Sequence, residues 1–431
     1  MRFRFPASRQ RCADRRPGDS LSGPVSFDGP LLATLRYRDF RNLWFGSFAS
    51  YAGQWIQQAT IGWLAYDMTG SKSLLGLIMG MRAIPMFLCA PLAGVAADRY
   101  DRRRLLMGSQ LVSALTALIF GIVLATGHAE VWHLFAFVLV SGAAAVLDRP
   151  ARLTIIFDIV PRGEAMQAVA INMIAFSIAR ITGPAIAGYL IGWFGAEGNL
   201  FVQASMYFAA AATVYHVTLP PREIVHSGRS AFAELAEGLR FAVTDRTARV
   251  LLLIGITPFL LLVPIFGGLL PVYTKDVFHA GPEVLGMLLT SVGVGGVGGS
   301  WFASKCMQSQ KQGIVQACAH RIDGAGFLLL SAAPSVAWAC AALIASGSAE
   351  MVLFTSNQAT LQMCVPENMR GRITSLQQLY PGFVSIGIMI EGLIADMIGI
   401  QWVTVLIALA TAILTTVLLV SGGLAKVRVV K

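Results

Sequence analysis

The chain has 431 residues, of which 55% are hydrophobic and 13% charged, with a formal net charge of +10 and a mean hydropathy of +0.65. Soluble domains carry about 25% charged residues, so this composition excludes an ordinary water-soluble enzyme, while the length accommodates a dozen spans of about 20 residues. An excess of basic residues would suggest nucleic acid in a soluble protein; in a membrane chain it asks where each Lys and Arg falls relative to the bilayer, and no nucleic-acid partner is expected.

The first 41 residues mix Arg2, Arg4, Arg9, Arg11, Arg15 and Arg16 with Pro and Ser, and no small-residue cleavage site follows a short apolar core. They predict a disordered basic tail on the cytoplasmic side, not a signal peptide. Twelve apolar segments follow, at 42–66, 73–97, 104–126, 132–157, 165–193, 200–219, 249–273, 284–304, 313–333, 335–362, 373–398 and 402–422. An even count puts both ends on one side. With that side cytoplasmic, nine basic residues fall in the amino-terminal tail and five between spans six and seven, whereas Lys72 and Lys275 lie opposite. The positive-inside rule therefore predicts a multi-pass protein of a bacterial-type inner (plasma) membrane with both termini in the cytoplasm. Cysteines 12, 89, 306, 318, 340 and 364 form no CxxC pair and read as apolar fillers.

The longest internal hydrophilic stretch, Pro220 to Arg249, divides the chain into bundles at 42–219 and 249–422, with a linker at 220–248 and a tail at 423–431. In the linker, Phe232, Leu235, Leu239 and Phe241 alternate with Glu234, Glu237 and Arg240, predicting an amphipathic helix on the inner membrane face. Leu75-Gly76 recurs as Leu285-Gly286, Val160-Pro161 as Val365-Pro366, and the Gly188/Gly195 pair as Gly392/Gly399. The expected architecture is all-α, with twelve transmembrane helices in two homologous six-helix bundles around a site that opens alternately to either side.

The loop after span two carries Gly94, Asp98, Arg99, Asp101, Arg102, Arg103 and Arg104. It resembles the major facilitator superfamily signature G-x-x-x-D-R/K-x-G-R-R/K, with Asp101 where glycine is usual. The resemblance implies that Asp98 braces the start of helix eleven near Arg370 and Arg372, making a cytoplasmic gate with Arg99, Arg102 and Arg103; Arg149 and Arg152, close to Asp148 at the inner end of span four, would support it. A second stretch, Arg180-Ile-Thr-Gly183-Pro184-Ala-Ile-Ala187-Gly188, is similar to the superfamily's antiporter motif. Together with Gln54-Trp55 in span one, Val160-Pro161-Arg162, and Asn357-Gln358 before Val365-Pro366, it resembles the enterobactin-exporter-like and macrolide-efflux-like branch (transmembrane secretion effectors). In that motif small residues allow close packing and Pro184 bends the helix, giving a hinge and seal at Arg180, Gly183, Pro184 and Gly188.

Ionisable residues inside spans are functional candidates, because a charge at the bilayer centre costs several kcal/mol unless paired or hydrated. Glu391 and Arg82 lie about seven and about ten residues from the outer ends of spans eleven and two, roughly 10 and 14 Å along a helix, so a pair that opens when Glu391 is protonated is one expectation for proton coupling. Glu350 is the other candidate. Asp323, with His320 and Arg321, reads as a self-neutralising cluster on span nine. Gln54, Trp55, Gln58, Asn172, Asn357 and Gln358 are candidates for lining an apolar cavity suited to an amphipathic organic molecule. Gly293 to Gly298 formally matches G-x-G-x-x-G, but no strand precedes it; no nucleotide loop, HExxH, paired-Cys site or nucleophile elbow is present. The expectations are no enzyme activity, no cofactor and no metal. The favoured function is proton-coupled export of a drug, siderophore or secondary metabolite, with small-molecule substrate, protons and the lipid bilayer as partners and a monomer as working state; an importer, a uniporter or a non-transporting membrane sensor are the alternatives.

Overall fold

Short polar side chains open several helices. Ser71 Oγ accepts from the backbone N–H of Leu74 at 3.2 Å, Asp101 Oδ1 from those of Arg103 and Arg104 at 2.9 and 3.2 Å, and Asp245 Oδ1 from that of Ala248 at 2.7 Å. Asp101, the departure from the loop signature, is thus the N-cap of the helix that follows. The computed structural model describes residues 33–89, 100–161, 163–219, 231–421, 424 and 427. Gly94, Asp98 and Arg99 of the expected gate lie outside these residues, as does the side chain of Arg149.

Among the described residues there are helices and no strands. In chain order they are α1 Arg38–Thr69, α2 Lys72–Cys89, α3 Arg102–Ala125, α4 Val131–Ile159 and α5 Ala165–Tyr215. They continue with α6 Ala231–Thr244, α7 Arg246–Val277, α8 Pro282–Cys306, α9 Gln312–Ser331, α10 Val336–Cys364, α11 Glu367–Ile398 and α12 Ile400–Val420. Nine are long and apolar enough to cross a bilayer. Within α5 the chain turns at Gly195, whose φ of 70° suits a residue without Cβ.

Contacts along α1 show that this turn is a full reversal. Trp44, Tyr51 and Trp55 meet Ile171, Asn172 and Gly183 in rising order, whereas Gly46, Gly53, Gln57 and Thr60 meet Thr213, Tyr207, Gln203 and Asn199 in falling order. The two arms of α5 are therefore separate, antiparallel passes. With the more polar α1 and α9 packed among the others, the count reaches twelve. Tyr66 at the end of α1 meets Asp276 at the end of α7, so the starts of α1 and α7 lie on one face, where Thr218 bonds Asp39 and Arg246 donates to the carbonyl of Ser421; we call it the terminal face and its opposite the far face.

The bundles α1–α5 and α7–α12 meet along two related seams. In one, a Cβ on Gly392 of α11 would stand 2.8 Å from Gly76 Cα of α2; in the other, a Cβ on Gly286 of α8 would stand 3.2 Å from Gly188 Cα of α5. Backbone touches backbone at both. The internal repeats are thus reciprocal halves of one device: Gly76 and Gly286 correspond, as do Gly188 and Gly392. Helix α6 does not lie free on the surface. Its Gly238 faces the backbone of Arg372, and Glu237 pairs with Arg372 at 2.7 Å, while Leu239 and Val243 stay exposed.

Candidate functional site

The amino-terminal bundle buries one compensated charge pair. Arg152 and Asp148, 1% and 4% exposed, are one turn apart on α4 and meet in a fork, Nη2 to Oδ1 at 2.7 Å and Nε to Oδ2 at 3.2 Å. Ser47 accepts from Nη1 at 2.6 Å, Gln110 donates to Asp148, and the guanidinium lies 5.3 Å from the Tyr51 ring. Arg152, expected at the gate, is instead an interior member of its own bundle, because α4 turns it toward α1. At the terminal face Arg102 pairs with Asp158 at 2.6 Å and Arg103 lies over Tyr215, while Arg372 pairs with Glu237 and Arg370 with Glu367 at 3.6 Å. Each of these contacts lies within one bundle or reaches the linker helix.

The far face is closed by contacts between bundles. Asp396, near the end of α11, accepts the backbone N–H groups of Lys72 and Ser73 at 3.0 and 2.8 Å and the Ser71 hydroxyl at 3.1 Å. A carboxylate of one bundle thereby caps a helix of the other, where the helix dipole favours negative charge. Lys72 pairs with Asp276 at 3.1 Å, Tyr66 donates to Asp276 at 2.7 Å, and Lys275 pairs with Asp67 while lying 4.5 Å from the Trp63 ring. Below these, α7 widens into π-helical turns at Ile265–Leu269 and Tyr273–Val277, and Gln58 donates to the carbonyl of Gly267 at 3.0 Å. The void left between Gln58, Gly62 and Phe266 measures about 10 Å³, no more than one water. Sequence reasoning missed Asp67, Lys72, Lys275, Asp276 and Asp396; the signal for the first four was opposite charges at span ends some 200 residues apart, and Asp396 gave none.

Midway along the helices, one ion pair among the described residues crosses between bundles. Arg180 Nη2 of α5 donates to Glu350 Oε2 of α10 at 2.9 Å, both side chains being about nine-tenths buried. The guanidinium also faces Trp55 at 5.8 Å, and Trp55 packs on Phe176. Gly293 and Gly296 of α8 make room for Arg180: a Cβ on the first would stand 3.0 Å from its carbonyl, and on the second 3.3 Å from Nη1. Gly183 lies against Trp55 and Gly188 against α8, so the antiporter-like stretch joins the far-face seal to this pair.

The carboxyl-terminal bundle differs. Glu391, 2% exposed, has no hydrogen-bond partner on either carboxylate oxygen. The expected Arg82–Glu391 pair is not made, because α11 turns Glu391 into its own bundle while Gly392, one residue on, takes the contact with α2. Asp323, 1% exposed, accepts one bond, from Ser346 at 2.5 Å, and its other oxygen has no partner. The expected neutralisation of Asp323 along α9 also fails, since Arg321 turns outward to Thr416 and His320 turns to Thr415.

The cavity candidates divide. Asn172 donates to Tyr51 at 3.0 Å, and Asn357 to the Leu251 carbonyl at 2.7 Å and to Gln316. Both are buried ties within a bundle, not available to a ligand. Gln58 belongs to the far-face seal, Gln54 and Trp55 are half-buried, and Gln358 is exposed. Aromatics meet near the middle, half-buried Phe87 with half-buried Phe383 across the bundles and half-buried Phe259 with buried Tyr380.

A family model described as transmembrane secretion effector matches residues 30–429. The Staphyloferrin A transporter of Staphylococcus aureus is 24% identical over 86% of this chain and 93% of its own length. The multidrug efflux pump Tap of Mycolicibacterium fortuitum is 23% identical over 86% and 91%, and macrolide efflux protein A of Streptococcus pyogenes 23% over 56% and 60%. Among solved structures, the nucleoside transporter NupG superposes with a TM-score of 0.71 at 14% identity, covering 88% of this chain and 98% of its own, which shows the shared fold. The chain therefore belongs to the transmembrane secretion effector family and is a multi-pass transporter of the major facilitator superfamily.

Proposed function

We propose that this transporter exports an amphipathic organic molecule across a bacterial inner membrane in exchange for protons, with the terminal face in the cytoplasm. The observation that carries this reading is the Arg180–Glu350 pair: a charge pair at the bilayer centre, spanning the seam whose far end is sealed, can hold the two bundles together in one state and must be neutralised in the other. A proton taken up by Glu350 does that. The aromatic faces of Trp55 and Phe176 beside a guanidinium suit a ligand with apolar surface and a few polar groups, and the names of the relatives, a siderophore transporter and two efflux proteins, agree with such a cargo. The excess of basic residues on the terminal side supports its cytoplasmic assignment.

The test is export of a panel of lipophilic dyes and iron-chelating compounds from cells expressing the wild type, Glu350→Gln or Glu391→Gln, with and without a protonophore. Wild-type export of at least one compound is expected to collapse with the protonophore, and Glu350→Gln to lose coupled export while still reaching the membrane. Export that ignores the protonophore overturns the coupling, and inward accumulation of a panel compound reassigns the protein as an importer.

A further inference from the structure

Glu350 does not stand alone on its side of the seam. Ser346 lies one turn before it on α10, and the Ser346 hydroxyl binds Asp323 Oδ1 at 2.5 Å. Residues four apart on a helix are neighbours, so the Ser346 bond sets Asp323 against the side of α10 that carries Glu350. Two carboxylates, from α9 and α10, therefore lie on the same stretch of the bundle, and of the two only Glu350 touches Arg180.

Among the described residues, the remaining surroundings of Asp323 show no second cation. From α12 come Thr411 and Thr415, and that helix has no ionisable residue. On its own helix Arg321 turns outward to Thr416 at 3.0 Å. His320 lies 3.3 Å from the Thr415 hydroxyl through Nδ1, and its Nε2 is without a partner. The second oxygen of Asp323 is likewise unpartnered. A carboxylate with one neutral hydroxyl for company is poorly tolerated in such a site, whereas a carboxylic acid is not.

We propose that Asp323 and Glu350 form one proton-binding site, holding a single proton while Arg180 is paired and taking up a second when the bundles part at this contact. The balance follows from charge. With Arg180 in place, one carboxylate answers the guanidinium and one proton neutralises the other; once Arg180 leaves, a second proton from the newly exposed face converts both to carboxylic acids, and closure returns it. Asp323 thus acts as the proton-holding residue and Glu350 as the residue that exchanges a proton for an arginine. Its use in transport rests on the exporter reading above; the binding site itself does not.

Infrared difference spectroscopy of the purified full-length protein at neutral pH reads the protonated-carboxyl C=O band without substrate or flux. Against wild type, Asp323→Asn is expected to lose about one carboxyl's worth of band, and Asp323→Glu to keep the intensity at a shifted frequency. Arg180→Ala is expected to gain about one carboxyl, and Arg180→Ala/Glu350→Gln to lose that gain; Glu391 is common to all and cancels. An unchanged band in Asp323→Asn, an unshifted one in Asp323→Glu, or no gain in Arg180→Ala overturns the proposal, whatever the transport assays show.

Discussion

The two bundles treat buried charge in opposite ways. In the amino-terminal one, Asp148 and Arg152 complete each other and their spare atoms are taken by Ser47 and Gln110; in the carboxyl-terminal one, Asp323 and Glu391 are as deeply buried, yet three of their four carboxylate oxygens have no partner. A closed pair holds its charge whatever the state of the transporter, since breaking it strands an ion in a low-dielectric interior. Unpartnered acids can change proton occupancy without breaking anything. The Asp148–Arg152 pair is thus fixed and the acids of the other bundle are titratable, with Arg180 reaching from the first bundle to Glu350 in the second.

The largest expected effect breaks the fixed pair. Arg152→Ala strands Asp148 and should cost about 3–5 kcal/mol, read as a fall in the thermal midpoint of the purified protein, whereas the volume-matched double change Asp148→Leu with Arg152→Met should recover most of it. A cost below about 1 kcal/mol would show that this bundle does not depend on its pair. Next comes the seam. Gly188→Ala places a methyl 2.6 Å from the Pro282 carbonyl and should disfavour the far-closed state by about 1–3 kcal/mol, lengthening the distance between spin labels on the α3–α4 and α9–α10 turns. Asp396→Asn keeps an acceptor but removes the charge at the start of α2, and should move the same distance distribution by about 0.3–1 kcal/mol. Lys275→Ala removes a partly exposed pair and should shift it least, by about 0.2–1 kcal/mol; a larger shift than that of Gly188→Ala would place the seal in the charges and not in the glycines.

Much of the fold was legible because hydropathy and basic residues report on single segments. The recurrence of Leu75-Gly76 as Leu285-Gly286 and of Gly188 as Gly392 marked the positions where the bundles touch, since only glycine lets two helix backbones meet there. The site was less legible, for a physical reason. Spacing places a residue along a helix, but packing decides which way it turns: Asp323 has His320 and Arg321 within one turn and pairs with neither, while Glu391, at a plausible depth to meet Arg82, faces its own bundle. Arg180 and Glu350, each singled out separately, gave no sign of meeting across 170 residues. The far-face latch was hidden likewise, because the carboxylate of Asp396 binds backbone amides, which leave no mark in a sequence.

The central claim is that proton coupling resides in the carboxyl-terminal bundle at the Arg180–Glu350 contact. Reconstituted vesicles test it most directly, by comparing proton-driven accumulation with energy-independent exchange of a dye that the wild type exports. Glu350→Gln is expected to lose accumulation in response to an imposed pH gradient and to retain exchange, because alternation survives once the charge is gone. Glu350→Gln that still accumulates the dye in proportion to the gradient would contradict the account.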